Sequence, residues 1–125
     1  MRLLLDTHVL IWWLEGGKNI TLKVRDQITR PDNEIFISAA SAWEISIKKT
    51  SGKLQTPDDL EEQIKHHTFT PLNIEIAHAL RAGALPLHHR DPFDRMLIAQ
   101  CQLEQLTLVT HDTKLSMYDI PLFEV

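Results

Sequence analysis

Four acidic side chains in this sequence stand where they could do chemistry: Asp6, Glu44, Asp94 and Asp112. Asp6 closes the apolar run Leu3-Leu4-Leu5 inside LLLDTHVLIWW, a setting where an unpaired charge is costly and needs a partner. Glu44 lies among Ala39, Ala40, Ala42, Trp43, Ile45 and Ile47, apolar in nearly every direction, with Lys48 at i+4 as its one local partner. Asp112 follows the run Leu106–Val109 within Thr110-His111-Asp112, and Asp94 follows Asp91-Pro92. Carboxylates gathered at one edge would repel one another and rise in pKa unless they shared a cation. Oxygen ligation with no thiolate or organised imidazole set favours a hard ion, Mg2+ or Mn2+. Such a site suits phosphodiester hydrolysis, in which the ion activates water and stabilises charge growing on phosphorus.

Each acid also has an ordinary reading. Asp112 could cap a short helix, and Asp94 could serve the dipole of a helix capped by Asp91. Asp6 could cap the segment that follows it. Glu44 and Lys48 could form an i,i+4 surface pair.

The elements that must position these residues read as alternating strands and helices. Arg2–Leu5, Glu34–Ile37 and Leu106–Val109 are continuous β-compatible runs without polar alternation, as expected of parallel strands covered on both faces. Thr68–Leu72 is a weaker fourth strand, and Ile120–Val125 a fifth, which Pro121 places at an edge. Helical patterns cover Ile20–Thr29, Ser38–Lys49 with a stop at Gly52, Leu60–His67 after Pro57-Asp58-Asp59, Ile74–Ala82 up to Gly83, and Phe93–Gln105 behind the cap and proline Asp91-Pro92. The alternation predicts one α/β domain over residues 1–125, a three-layer α/β/α sandwich with a mainly parallel sheet. In such sheets ligands bind beyond the carboxyl ends of the strands, where Asp6 and Asp112 fall.

Composition agrees with a single globular domain: 125 residues, 43% hydrophobic and 24% charged, which excludes disordered and fibrous classes. The lone cysteine, Cys101, rules out an internal disulfide and points to a reducing, cytoplasmic setting. The longest apolar runs fall far below the ~20 residues of a membrane span, and Asp6 comes too early for a signal peptide. With 13 basic against 17 acidic residues, the net charge of −4 is unlike that of a strongly cationic nucleic-acid binder, although a bound divalent ion reverses the local sign.

Three stretches, LLLDTHVLIWWL, ISAASAWEISIKKTSGKL and HHRDPFDRMLIAQCQLEQLTLVTHD, together span nearly the whole chain. In this order they resemble the PIN domain, specifically the VapC-type toxins of bacterial toxin–antitoxin pairs. The resemblance places the family's acidic quartet on Asp6, Glu44, Asp94 and Asp112, and its small polar residue beside the last strand on Thr110. It implies an endoribonuclease dependent on Mg2+ or Mn2+ with structured RNA such as tRNA or rRNA as substrate. It also implies a homodimer held inactive by a cognate antitoxin. Thr110, with Thr7, would orient an acid or the attacking water. Lys48, Lys49, Lys53, Arg90, Arg95 and Lys114 are the candidates for phosphate contacts, Arg95 and Lys48 foremost, and each could equally be a solvated surface charge.

Other side chains invite different chemistry. The pairs His66-His67 and His88-His89 suggest zinc, but helical neighbours diverge by about 100° and no cysteine lies near either pair. His88 and His89 precede Arg90 in a loop close to Asp94, within reach of RNA. Trp12, Trp13 and Trp43 could stack bases, yet apolar helical stretches make Trp12 and Trp43 core or interface residues, and Trp13 a candidate for the dimer or antitoxin surface. An aspartyl-phosphate phosphatase would need a second aspartate at position 8, which is His8. A receiver domain would need one at the end of the second strand, which reads IFIS. A non-catalytic binding module on the same fold is the remaining alternative, and the presence of all four acids weighs against it.

Overall fold

The computed structural model describes all 125 residues. Strand β1 (Arg2–Leu5) leads into α1 (Thr7–Leu14) and α2 (Leu22–Thr29). Next come β2 (Glu34–Ser38), α3 (Ala39–Thr50), α4 (Leu60–His66) and β3 (Thr70–Leu72). Helices α5 (Ile76–Ala84) and α6 (Pro92–Glu104) then precede β4 (Thr107–Thr110), a 3-10 turn (Thr113–Met117) and β5 (Leu122–Glu124). All five strands are parallel, in the order β3-β2-β1-β4-β5.

Register explains why the strand sequences are apolar throughout. Leu3 pairs with Ile35, Leu4 with Phe36 and with Leu108, and Leu5 with Val109. Leu3, Leu5, Ile35, Ile37 and Val109 point to one face and pack with Val9, Leu10, Val24, Ile28 and Ile64 from α1, α2 and α4. Leu4, Phe36 and Leu108 point to the other and pack with Leu97, Ile98 and Cys101 of α6. A strand buried on both faces favours apolar residues along its length, with Ser38 and Thr110 as buried polar residues at the carboxyl ends of β2 and β4. The two proline-bearing segments end at the two edges: Pro71 lies in β3, and Pro121 immediately precedes β5.

The expected stop of α5 at Gly83 is not the one used. The helix begins at Ile76, passes through Gly83 and ends at Ala84, followed by Leu85, whose backbone is extended (φ −61°, ψ 148°) ahead of Pro86. A residue before proline is pushed out of the helical region, and here that restriction sets the boundary. Gly52, by contrast, does follow the end of α3 with φ +76°.

The strand order reverses direction between β1 and β4. After β1 the chain builds outward through β2 and β3, then returns to the far side of β1 with β4 and β5. This is a topological switch point, the place where an open parallel sheet leaves a crevice at its carboxyl edge.

Candidate active site

Asp6 sits at that crevice. Its amide donates to the Val109 carbonyl at 3.0 Å, extending the β1–β4 ladder by one bond. Its side chain then starts α1: Oδ1 accepts from the Val9 amide at 2.8 Å, an N-cap that satisfies one of the helix's free donors. Oδ2 accepts from the Thr110 hydroxyl, a bond across the two strand ends. Asp6 is only 4% exposed. Burial raises its pKa, and the bonds from Thr110 and Val9 offset only part of that rise.

Thr110 Oγ1 is shared. While it donates to Asp6 it accepts from the Asp112 amide at 3.1 Å. Asp112 Oδ1 in turn accepts from Lys114 N at 3.0 Å and caps the 3-10 turn. Asp112 therefore does cap a short helix, and it does so at the mouth of the crevice.

Asp94 enters from the other side. Asp91 caps α6 by accepting from Phe93 N at 2.8 Å and Asp94 N at 3.1 Å, with Pro92 at the first helical position. The cap leaves the Asp94 side chain to other partners, and its Oδ2 lies 2.7 Å from His89 Nε2. The Asp94 carboxyl is pushed up to about 6, chiefly by burial and further by the charges of Asp91 and Asp6, with His89 opposing. A ring nitrogen of His89 and carboxylate oxygens of Asp94 and Asp112 lie within 4.8 Å of one another.

His89 is not among the ligands expected from the sequence. There it belongs to a polar loop, and its pairing with Asp94 depends on distant groups. Its amide donates to the Tyr118 hydroxyl at 2.9 Å, and its carbonyl accepts from Arg95 Nη1 at 3.2 Å. The one readable signal is its position five residues before Asp94, in the loop that leads into the α6 cap.

Arg95 corrects the expectation of a phosphate-binding side chain. It is buried, and its guanidinium points away from the crevice into the end of α5. Nη2 donates to the carbonyls of Ala82 at 2.8 Å and Leu85 at 2.9 Å, and Nη1 to Pro86 at 3.1 Å. These carbonyls have no helical partner, and a cation at a helix C-terminus is favoured. Arg95 therefore fixes the loop that carries His89. Thr7 likewise does not orient an acid: its hydroxyl donates to Ser41 Oγ at 3.0 Å and ties α1 to α3.

Glu44 is 6% exposed on α3 and lies outside the tight His89–Asp94–Asp112 group. Its Oε2 accepts from Lys48 Nζ at 2.7 Å. The i,i+4 pair forms as the spacing allowed, but with the carboxylate buried rather than on the surface. Lys48 is thus engaged by Glu44, and Lys49 by Asp58 and the Pro57 carbonyl.

A family model for the PIN domain matches residues 3–121. The chain belongs to the PIN domain family. Solved structures with the same fold include VapBC2 from Rickettsia felis bound to a promoter DNA fragment, at 16% identity and TM-score 0.76 over 100% of this chain and 99% of that one. DNA-bound VapBC from Salmonella typhimurium matches at 16% identity and TM-score 0.71, over 99% and 98%. A toxin–antitoxin complex from Klebsiella pneumoniae matches at 25% identity and TM-score 0.65, over 98% of each chain. No curated protein is matched.

The residues of this PIN domain suit a divalent cation. Asp6 is buried and Asp94 half-buried, and the loss of solvent is the main cause that raises the pKa of both, an effect a bound cation would oppose. Asp112 and His89 add an oxygen and a nitrogen at ligand spacing. Carboxylates accommodate Mg2+ and Mn2+ alike, whereas an imidazole shifts the balance toward Mn2+.

Proposed function

We propose that this PIN domain is an endoribonuclease dependent on Mg2+ or Mn2+, acting as the toxin of a toxin–antitoxin pair. The observation that carries the reading is the grouping of Asp94, Asp112 and His89 at ligand spacing, with Asp6 outside that tight group but joined to Asp112 through Thr110 and its charge felt at Asp94. Asp6, Asp94 and Asp112 would hold the ion, with Glu44 completing the acidic quartet from α3. When bound, the ion supplies a lowered pKa for water and stabilisation of charge on the phosphate.

The chain's own groups do the positioning. Val9 N and the Thr110 hydroxyl fix both oxygens of Asp6, so that carboxylate cannot swing when RNA arrives. Thr110 also sets the backbone at Asp112. Asp94 Oδ2 and His89 Nε2 are close enough to share a proton, and Asp94 ligates a cation only when that proton is not its own.

Other features support the partners. The solved relatives named above as complexes favour an antitoxin. Ile76, Leu80 and Leu87, 81%, 71% and 75% exposed, leave an apolar stripe on and beyond α5, which favours a homodimer. The single buried thiol, Cys101, fits a cytoplasmic setting, and no helix is long and apolar enough to cross a membrane.

The test is cleavage of RNA by purified protein with Mg2+ or Mn2+. Activity should vanish in EDTA and in Asp6→Asn and Asp94→Asn. Cleavage that survives in those variants would overturn the assignment.

A further inference from the structure

Three aromatic rings outside the acid cluster meet at its rim. His8 and Trp12 are i,i+4 neighbours on α1, and His111 lies between Thr110 and Asp112. Ring centroids are 4.9 Å apart for Trp12–His111, 5.3 Å for His8–His111 and 6.2 Å for His8–Trp12. The planes are tilted by 55° to 70°, an edge-to-face grouping rather than a stack, and the exposed His8 and His111 leave ring surface open to solvent. His8 and His111 are exposed, whereas Trp12 is half-buried and rests on the core beneath α1.

These rings are neighbours in sequence of the residues that hold the acids. His8 is two positions from Asp6, which caps α1, and His111 follows Thr110, which bonds to Asp6 and to the Asp112 amide. The charges of His111 and His8 are both felt at Asp6. The cluster thus stands at a fixed place beside the crevice.

We infer that His8, Trp12 and His111 form a stacking platform for one unpaired nucleobase of RNA, next to the phosphodiester at the acids. This specificity element rests on the nuclease reading above. Flat rings with nitrogen donors and acceptors at their edges match a base, which single-stranded RNA offers free for stacking. The aliphatic surface suited to a protein partner lies elsewhere, at Ile76, Leu80 and Leu87. Stacking is tolerant of base identity, so the platform would select for an unpaired nucleotide more than for a sequence.

The test measures binding of short fluorescent RNA oligonucleotides to protein already silenced by Asp94→Asn. Adding Trp12→Ala or His111→Ala should weaken binding by about 5- to 100-fold, the range for loss of one stacked base. Trp12→Phe should restore most of it. In oligonucleotides with one abasic site moved along the chain, a single position should abolish the difference that Trp12→Ala makes to the silenced protein. His111 is an exposed loop residue, so His111→Ala keeps the test valid if Trp12→Ala fails to fold. Unchanged RNA binding in His111→Ala, together with a loss of antitoxin binding in Trp12→Ala that Trp12→Phe restores, would overturn the platform in favour of a protein contact. Ring-dependent binding without metal-dependent cleavage by the unsilenced protein would refute the nuclease reading while leaving the platform standing. Metal-dependent cleavage indifferent to all three rings would refute the platform alone.

Discussion

The hydroxyl of Thr110 donates to Asp6 Oδ2 across 104 residues of sequence, and the same oxygen accepts from the Asp112 amide. One side chain thereby joins the ends of β1 and β4 and sets the spacing of two acids. Replacing it with the isosteric valine leaves a buried carboxylate oxygen and an amide without partners. Thr110→Val should cost about 1–3 kcal/mol in urea unfolding and weaken Mn2+ binding, while Thr110→Ser should keep most of both. Equal stability in the two variants would remove this role.

A second prediction concerns pH in the metal-free protein. Burial pushes the Asp94 carboxyl up to about 6 in the fold from its ordinary 3.8, so the native state should bind more protons between those values. Stability from this site is therefore full below about pH 4 and is lost as pH rises through 6. The loss is about 2–3 kcal/mol by the shift itself. Asp94→Asn should flatten that part of the stability-against-pH curve and make the metal-free protein more stable at pH 7. Saturating Mn2+ at pH 7 should raise the melting temperature of the parent and not of the variant. A parent curve flat from pH 4 to 7 would contradict the assignment.

Arg95 yields a third. If its guanidinium anchors the α5–α6 loop, Arg95→Lys should lower stability by about 2–4 kcal/mol, because an ammonium cannot satisfy carbonyls spread over Ala82, Leu85 and Pro86. A phosphate-contacting arginine would behave oppositely, leaving the melting temperature alone and reducing the salt dependence of RNA binding.

Much of this fold is legible in the sequence. Leu3-Leu4-Leu5 and Ile35-Phe36-Ile37 read as doubly covered strands because both faces of the sheet are packed, and Pro121 marks the β5 edge. The acids at strand ends are legible too, since Asp6 directly follows an apolar run and Asp112 lies three residues past Val109. The inward turn of Arg95 is not. It is adjacent to Asp94, but one helical step of about 100° sends it toward the end of α5, whose position is a property of tertiary packing. His89 is hidden for the same reason, because Tyr118 and Arg95 hold its backbone from far along the chain. The end of α5 departs from the expected stop because proline at 86 overrides glycine at 83.

Glu44 gives a fourth prediction. Its buried carboxylate is paired with Lys48, so Lys48→Met should strand a buried charge and destabilise the protein by about 3 kcal/mol. Glu44→Gln together with Lys48→Met should recover most of that loss in chemical denaturation. Purely additive effects would mean that the pair is not coupled.

The central claim is that a divalent ion is shared by Asp6, Asp94 and Asp112 at the β1–β4 crevice. Anomalous scattering from Mn2+-soaked crystals tests it most directly. The account predicts a difference peak at ligand distance from those carboxylates, absent in Asp94→Asn crystals soaked alike. A crevice without a peak in the parent protein, at Mn2+ concentrations that support RNA cleavage, would contradict it.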